Sequence, residues 1–361
     1  MSHAATQAAP KKSAGADYDG HLLEVDDLHV EFRTRDGVAK VINGVSYHVD
    51  HGETLAVLGE SGSGKSVTAQ TIMGILDTPP GFVTGGEIRF KGVDMLKQSK
   101  EARRKIRAAG IAMVFQDALS ALNPVFTVGF QIGELFRKRL GMSRKEARQR
   151  AIELLDLVKI PNPKERVRQY PHEFSGGMRQ RVMIAMSLAL DPDVLIADEP
   201  TTALDVTVQA QIMDLLKEIQ QERDMGLILI THDLGVVADV ADRIAVMYAG
   251  RIVEEADCAT CYRKPCHPYT IGLLNSIPRM DLKGQELATI KGLPPSLLHI
   301  PTGCTFHPRC PMAQEICRTT EPPLLDLGGR WSRCHFAEDL KNRDQEQSAI
   351  YLGDQKGLIS E

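Results

Sequence analysis

The sequence predicts an α/β fold: a mixed, mainly parallel sheet core with an antiparallel β subdomain, a helical subdomain and a small Cys/Pro-rich C-terminal domain. Three observations carry this expectation. Leu55–Leu58, Val194–Ala197 and Leu227–Ile230 are continuous apolar runs, which is how strands buried on both faces of a parallel sheet read. Amphipathic stretches separate them, as crossover connections require. Ahead of the first run, Leu28-His-Val-Glu-Phe32 alternates, and strand signals from Val45 to Val49 and from Thr54 to Leu58 flank His51-Gly52, the pattern of an antiparallel opening.

The elements follow in order. Residues 1–20 read as a disordered tail, because nothing in them buries enough apolar surface to offset ordering entropy. Residues 21–270 form the main domain. Between its first two apolar runs lies a helical stretch, whose clearest helix opens at Ser143 with Glu146 three residues on, a capping box. Ala147, Ala151, Leu154, Leu155 and Val158 then share one face, and Pro161 stops it. Residues 271–340 crowd prolines, from Pro278 to Pro322-Pro323, into a region poor in periodic segments. They read as a second domain, with 341–361 a flexible tail.

Composition narrows the function. The 361 residues hold 43 Lys and Arg against 47 Asp and Glu, a formal net charge of −4, which excludes a generally basic nucleic-acid binder. The best apolar run, Val182–Leu190, carries Ser187 and falls well short of the ~20 residues a bilayer crossing needs. No apolar segment follows Lys11-Lys12, so a cytoplasmic location is expected.

Gly59-Glu60-Ser61-Gly62-Ser63-Gly64-Lys65-Ser66 fits G-x-x-x-x-G-K-[ST], directly after a buried strand and before a helix expected over Val67–Leu76. Glycines let the backbone N–H groups converge on phosphate, Lys65 neutralises β/γ oxygens, and Ser66 offers Mg²⁺ a hydroxyl. Asp198 and Glu199 end a second buried strand, Asp198 suited to hold Mg²⁺ and Glu199 to polarise water. Ser175-Gly176-Gly177 opens a further helix as an N-cap with room for a second phosphate. His232, after the strand Leu227–Thr231, can contact a γ-phosphate.

Together with Gln116 after a strand at Val114 and with Thr201-Thr-Ala-Leu-Asp205, these motifs resemble ATP-binding cassette ATPases over about 22–270. The resemblance implies an ABC-type P-loop fold, ATP with Mg²⁺, Gln116 as sensor of metal and γ-phosphate, Glu199 as general base, His232 as γ-phosphate contact, and Asp205 contacting across a dimer. In that family the Ser-Gly-Gly helix of one subunit closes over ATP held by the other, so two copies are expected to work together. The family stacks adenine on an aromatic residue, for which only Phe32 lies near. Phe115-Gln-Asp-Ala-Leu-Ser-Ala-Leu-Asn-Pro124, His267-Pro-Tyr-Thr-Ile-Gly-Leu-Leu-Asn-Ser-Ile-Pro278 and Gly292-Leu-Pro-Pro-Ser-Leu-Leu resemble, more narrowly, the ATPase subunits of bacterial dipeptide, oligopeptide and nickel importers. This implies two transmembrane permease subunits contacted around Gln116 and 121–160, and a second ATPase subunit, a paralogue or a copy of itself. It also implies an extracytoplasmic peptide-binding protein acting indirectly, no nucleic acid, and a peripheral place on the cytoplasmic face of the membrane. A soluble cassette ATPase of DNA repair, translation or iron-sulfur assembly would bring paired cassettes, a coiled coil or a basic groove, and none is present. A P-loop kinase would have no use for Ser175-Gly-Gly.

The seven cysteines all lie beyond residue 257. Cys258, Cys261 and Cys266, beside His267, have compact metal-like spacing, but thiols without metal are the expectation. Cys304, Cys310, Cys317 and Cys334 occupy a proline-rich stretch that needs an internal staple. Four thiolates suit zinc or a 4Fe-4S cluster, or stay unligated, with His307 and His335 as substitute ligands. The wide gaps, Pro311 after Cys310 and the importer resemblance point to 4Fe-4S.

Overall fold

A computed structural model describes residues 20–342, apart from 118–120, 203 and 277–289. Two sheets organise it. The first is antiparallel, in the order β2-β1-β4-β5, from β1 (Leu23–Thr34), β2 (Gly37–Val49), β4 (Gly81–Phe90) and β5 (Val93–Asp94). The second has eight strands in the order β11-β12-β10-β9-β3-β8-β7-β6. Its parallel centre comprises β3 (Thr54–Leu58), β6 (Ile111–Val114), β7 (Val194–Asp198), β8 (Gly226–Thr231) and β9 (Arg243–Tyr248). The three apolar runs are β3, β7 and β8, and every residue of each strand is buried.

Helices Val128–Leu140, Arg144–Leu157 and Gly176–Ser187 form the helical subdomain, which joins the main core through Ile132, Phe136, Ala151, Leu155 and Val182. The Ser143–Glu146 capping box is present, and the helix ends at Leu157, ahead of Pro161. Strands β4 to β6 precede this stretch. β4 escaped the sequence reading because Gly81, Gly85 and Gly86 interrupt its alternation and only three of its ten residues, Gly81, Ile88 and Phe90, are buried.

The chain after residue 270 does not stand apart from the main sheet. β10 (Arg251–Asp257) pairs antiparallel with β9, and β12 (Trp331–Ser332) extends it, with Glu254 opposite Ser332. β11 (Leu325–Asp326) closes the edge. Two-residue strands carry no periodicity to read, so this docking is invisible in sequence.

Candidate nucleotide site

The site forms where parallel strands end, the crevice open α/β sheets present at their carboxyl edge. β3 stops at Leu58 and the chain turns through Gly59–Gly64 into helix Lys65–Met73, two residues earlier than the sequence suggests. Two glycines there have no substitute. Gly59 has φ 152° and an added Cβ would meet the Met247 carbonyl at 2.2 Å, while at Gly64, φ 108°, it would meet Ile42, Met247 and Val41 within 2.9 Å. At Gly62 nothing lies within 4 Å of such a Cβ, so the loop is open on that side. No acidic side chain occupies the helix's first turn, which leaves its free N–H groups for an anion.

Lys65 is buried, and its Nζ donates to the Gly59 and Glu60 carbonyls at 2.7 and 3.0 Å. Burial lowers its pKa, against the opposing pull of Glu199, Asp198 and Glu60. Ser66 Oγ donates to Asp198 Oδ1 at 3.0 Å. Burial raises the Asp198 pKa, with the Ser66 hydrogen bond opposing and Glu199 reinforcing the rise. A hydroxyl and a carboxylate in contact, one lysine away, are a fitting donor pair for Mg²⁺.

Glu199 follows β7 in the left-handed region, φ 46°, a cost that persists where surrounding structure enforces it. Its N–H donates to the Ile230 carbonyl at 2.8 Å, so β8 does the enforcing. Gln116 Nε2 and Thr202 Oγ1 donate to its Oε2 at 2.8 and 3.0 Å, and His232 Nδ1 lies 3.3 Å from Oε1. The structure thus gathers Lys65, Ser66, Gln116, Asp198, Glu199 and His232 at the ends of β3, β6, β7 and β8. Thr202 was missed, having no motif of its own beyond the Thr-rich run.

The Ser175 end lies elsewhere. Ser175 and Gly176 are exposed, Ser175 Oγ accepts from the Met178 N–H at 3.4 Å, and among the described residues no hydrogen bond joins 175–177 to 59–66. A Cβ at Gly177 would come 2.5 Å from Val208, so this glycine also lets two helices pack. Asp205 caps helix Val206–Arg223 through the Val208 N–H at 2.9 Å, a role the sequence reading did not give it. Phe32 is half buried and packs on the core beneath the antiparallel sheet.

These features gain meaning beside known proteins. The family model described as ABC transporter matches residues 42–202, and the model for the oligopeptide/dipeptide transporter C-terminal region matches 253–317. The chain is 54% identical over 301 residues to the dipeptide transport ATP-binding protein DppD of Bacillus subtilis, covering 83% of this chain and 90% of that one. The chain belongs to the ABC transporter ATP-binding proteins. It is also 48% identical over 334 residues to the oligopeptide transport ATP-binding protein OppD of Salmonella typhimurium, covering 92% and 97%. A dimeric ATP-binding cassette solved in a post-hydrolysis state with ADP and Pi matches with TM-score 0.58 at 29% identity, over 65% of this chain and 98% of that one. As an ABC ATPase the chain hydrolyses ATP with Mg²⁺.

The four C-terminal cysteines converge. Cys304, Cys310, Cys317 and Cys334 line one small cavity together with His307 and His335. Among the described residues no three of these sulfurs lie within 4.8 Å of one another. Burial raises the pKa of Cys304, pushes Cys310 to about 11 and Cys334 to about 12, and mutual charge adds to each. Backbone N–H groups of Phe306, His307, Met312 and Phe336 reach the sulfurs and oppose the rise. Four cysteines on one cavity are a metal-type donor set by composition, while their raised pKa values favour the neutral thiol. Both histidines bond to backbone carbonyls, His307 to Cys304 and His335 to Thr320, at 2.9 Å. Cys258, Cys261 and Cys266 differ: burial raises each thiol, Cys261 packs in the main core, and Cys266 packs with Ile271 and Leu327. No helix among the described residues is long and apolar enough to cross a membrane.

Proposed function

We propose that this chain energises the import of di- or oligopeptides through ABC permease subunits. The observation that carries the reading is the match to peptide-transport ATPases over most of the chain, including the C-terminal region specific to them. In this reading the chain works as one of two ATPase subunits, its partner a paralogue or a second copy, bound at the cytoplasmic face of two permease subunits. A peptide-binding protein outside delivers the cargo.

In this reading the residues take the following roles. Ser66 and Asp198 would hold Mg²⁺, which supplies charge neutralisation at the β/γ oxygens. Loop N–H groups from Gly59 to Ser66 and the Lys65 ammonium cradle the phosphates. Glu199 Oε2 takes the proton of the attacking water, Gln116 relays the state of the γ-phosphate toward the permease, and His232 steadies that phosphate. Ser175, Gly176 and Gly177 close over the partner's nucleotide, and Asp205 stands at the same junction.

The four C-terminal cysteines would hold a 4Fe-4S cluster with a structural or regulatory role. A tetrahedral zinc would need all four sulfurs roughly 3.8 Å apart, whereas among the described residues no three of them lie mutually within 4.8 Å, and a cubane spreads its ligands more widely. Protein purified anaerobically should be brown with about four iron per chain; colourless protein with one zinc would overturn the cluster. For the transport reading, the chain assembled with its permease in vesicles should drive ATP-dependent peptide accumulation, and uptake of nickel alone would redirect it.

A further inference from the structure

The C-terminal segment reaches into the phosphate loop. Glu60, the loop's second residue, has its carboxylate gripped by both arms of Arg309, Nη1 to Oε2 at 2.6 Å and Nη2 to Oε1 at 2.9 Å. The Arg309 side chain is only 4% exposed. Its Nε donates to the Lys291 carbonyl at 3.2 Å, and its guanidinium lies 5.8 Å from the centre of the Tyr248 ring. The Glu60 N–H donates to the Tyr269 hydroxyl at 2.9 Å, while its carbonyl accepts from Lys65 Nζ. Tyr248, Tyr269 and Phe306 pack as one aromatic cluster behind this point, with ring centres 4.6 to 5.3 Å apart.

A carboxylate in a loop that receives a triphosphate is a liability, because like charges repel across a poorly screened interior. A buried bidentate arginine cancels that charge and fixes its direction, which a solvated point charge would not do. We propose that Arg309 is a positioning residue for nucleotide binding, neutralising Glu60 and, with Tyr269, holding the first turn of the phosphate loop. Arg309 immediately precedes Cys310, and its N–H donates to the Phe306 carbonyl at 3.0 Å, so one turn carries both the guanidinium and a cavity cysteine. The C-terminal region is thereby part of the nucleotide site.

The inference rests on the nucleotide reading, and the test separates the two. Equilibrium binding of Mg-ATP is measured on the full chain, with folding checked by circular dichroism. Lys65→Ala should weaken binding; if it does not, the nucleotide reading itself fails. Arg309→Gln should weaken binding about tenfold, and Glu60→Gln added to it should restore most of the loss, since the uncompensated charge is gone. Packing damage alone would not be rescued this way. Should Arg309→Gln fail to fold, Arg309→Met with and without Glu60→Gln gives the same comparison, since methionine likewise removes the charge while keeping a long side chain. Wild-type-like affinity in the single variant, or no restoration in the double, overturns the proposal.

Discussion

The phosphate loop and the Ser175 helix start are both glycine-bearing helix openings, yet the chain treats them oppositely. The loop is held at both its ends: Lys65 bonds back to Gly59 and Glu60, Ser66 to Asp198, and Glu60 to Arg309 and Tyr269. Ser175 and Gly176 face solvent, and among the described residues Ser175 is tied only to its own helix, through Met178 and Arg179. On the proposed reading, preorganisation is spent where nucleotide binds in the ground state, while the exposed half awaits a surface of the second ATPase subunit.

The largest way to break the comparison is Glu199→Gln. Glu199 holds Gln116, Thr202 and His232 around one carboxylate, and a positioned general base contributes roughly 10²–10⁴ in rate, about 3–5 kcal/mol of barrier. Turnover of the assembled ATPase should fall by that factor while Mg-ATP binding survives. Hydrolysis near the parent rate would remove Glu199 from the role.

Next comes a pair that separates the halves. Lys65→Ala should weaken Mg-ATP binding by the isolated chain, because a buried charge facing β/γ oxygens is lost in ground and transition states alike. Ser175→Ala should leave that affinity within about twofold, cost about 1 kcal/mol of stability through the lost cap, and depress hydrolysis only in the assembled dimer. A drop in isolated-chain affinity for Ser175→Ala would mean that both halves serve the same bound nucleotide.

How much of this was legible in sequence depends on whether the partners are neighbours along the chain. Gly59–Ser66, Asp198-Glu199 and the Ser143 cap were readable because their functional groups lie within a few adjacent residues. Arg309 was not, since its partner Glu60 lies 249 positions away and a lone arginine in a proline-rich stretch carries no pattern. The cysteines reverse intuition. The compact trio is divided, Cys258 and Cys261 against the main core and Cys266 with Ile271 and Leu327, whereas the widely spaced four line one cavity.

The smallest expected effect concerns the buttress behind the loop. Glu254 in β10 is buried and accepts the N–H groups of Cys266 and His267, which sets the turn that delivers Tyr269 to Glu60. Burial pushes its pKa up to about 7 from an ordinary 4.5. A carboxyl whose folded pKa is raised binds its proton more tightly in the fold, so its full contribution is present below about pH 4.5 and is lost as pH rises through about 7. Burial also pushes His267 down to about 3 and Cys266 up to about 11, so neither changes charge in that window. The parent should therefore lose stability relative to Glu254→Gln between about pH 4.5 and 7.5, by at most about 3 kcal/mol, and run parallel to it above. The glutamine presents an NH₂ group to a site built of donors, which lowers its stability at every pH; the slope, not the offset, is the readout. Melting curves for the two proteins that run parallel across this range would show that Glu254 keeps one protonation state, and that the loop half owes nothing to pH through this turn.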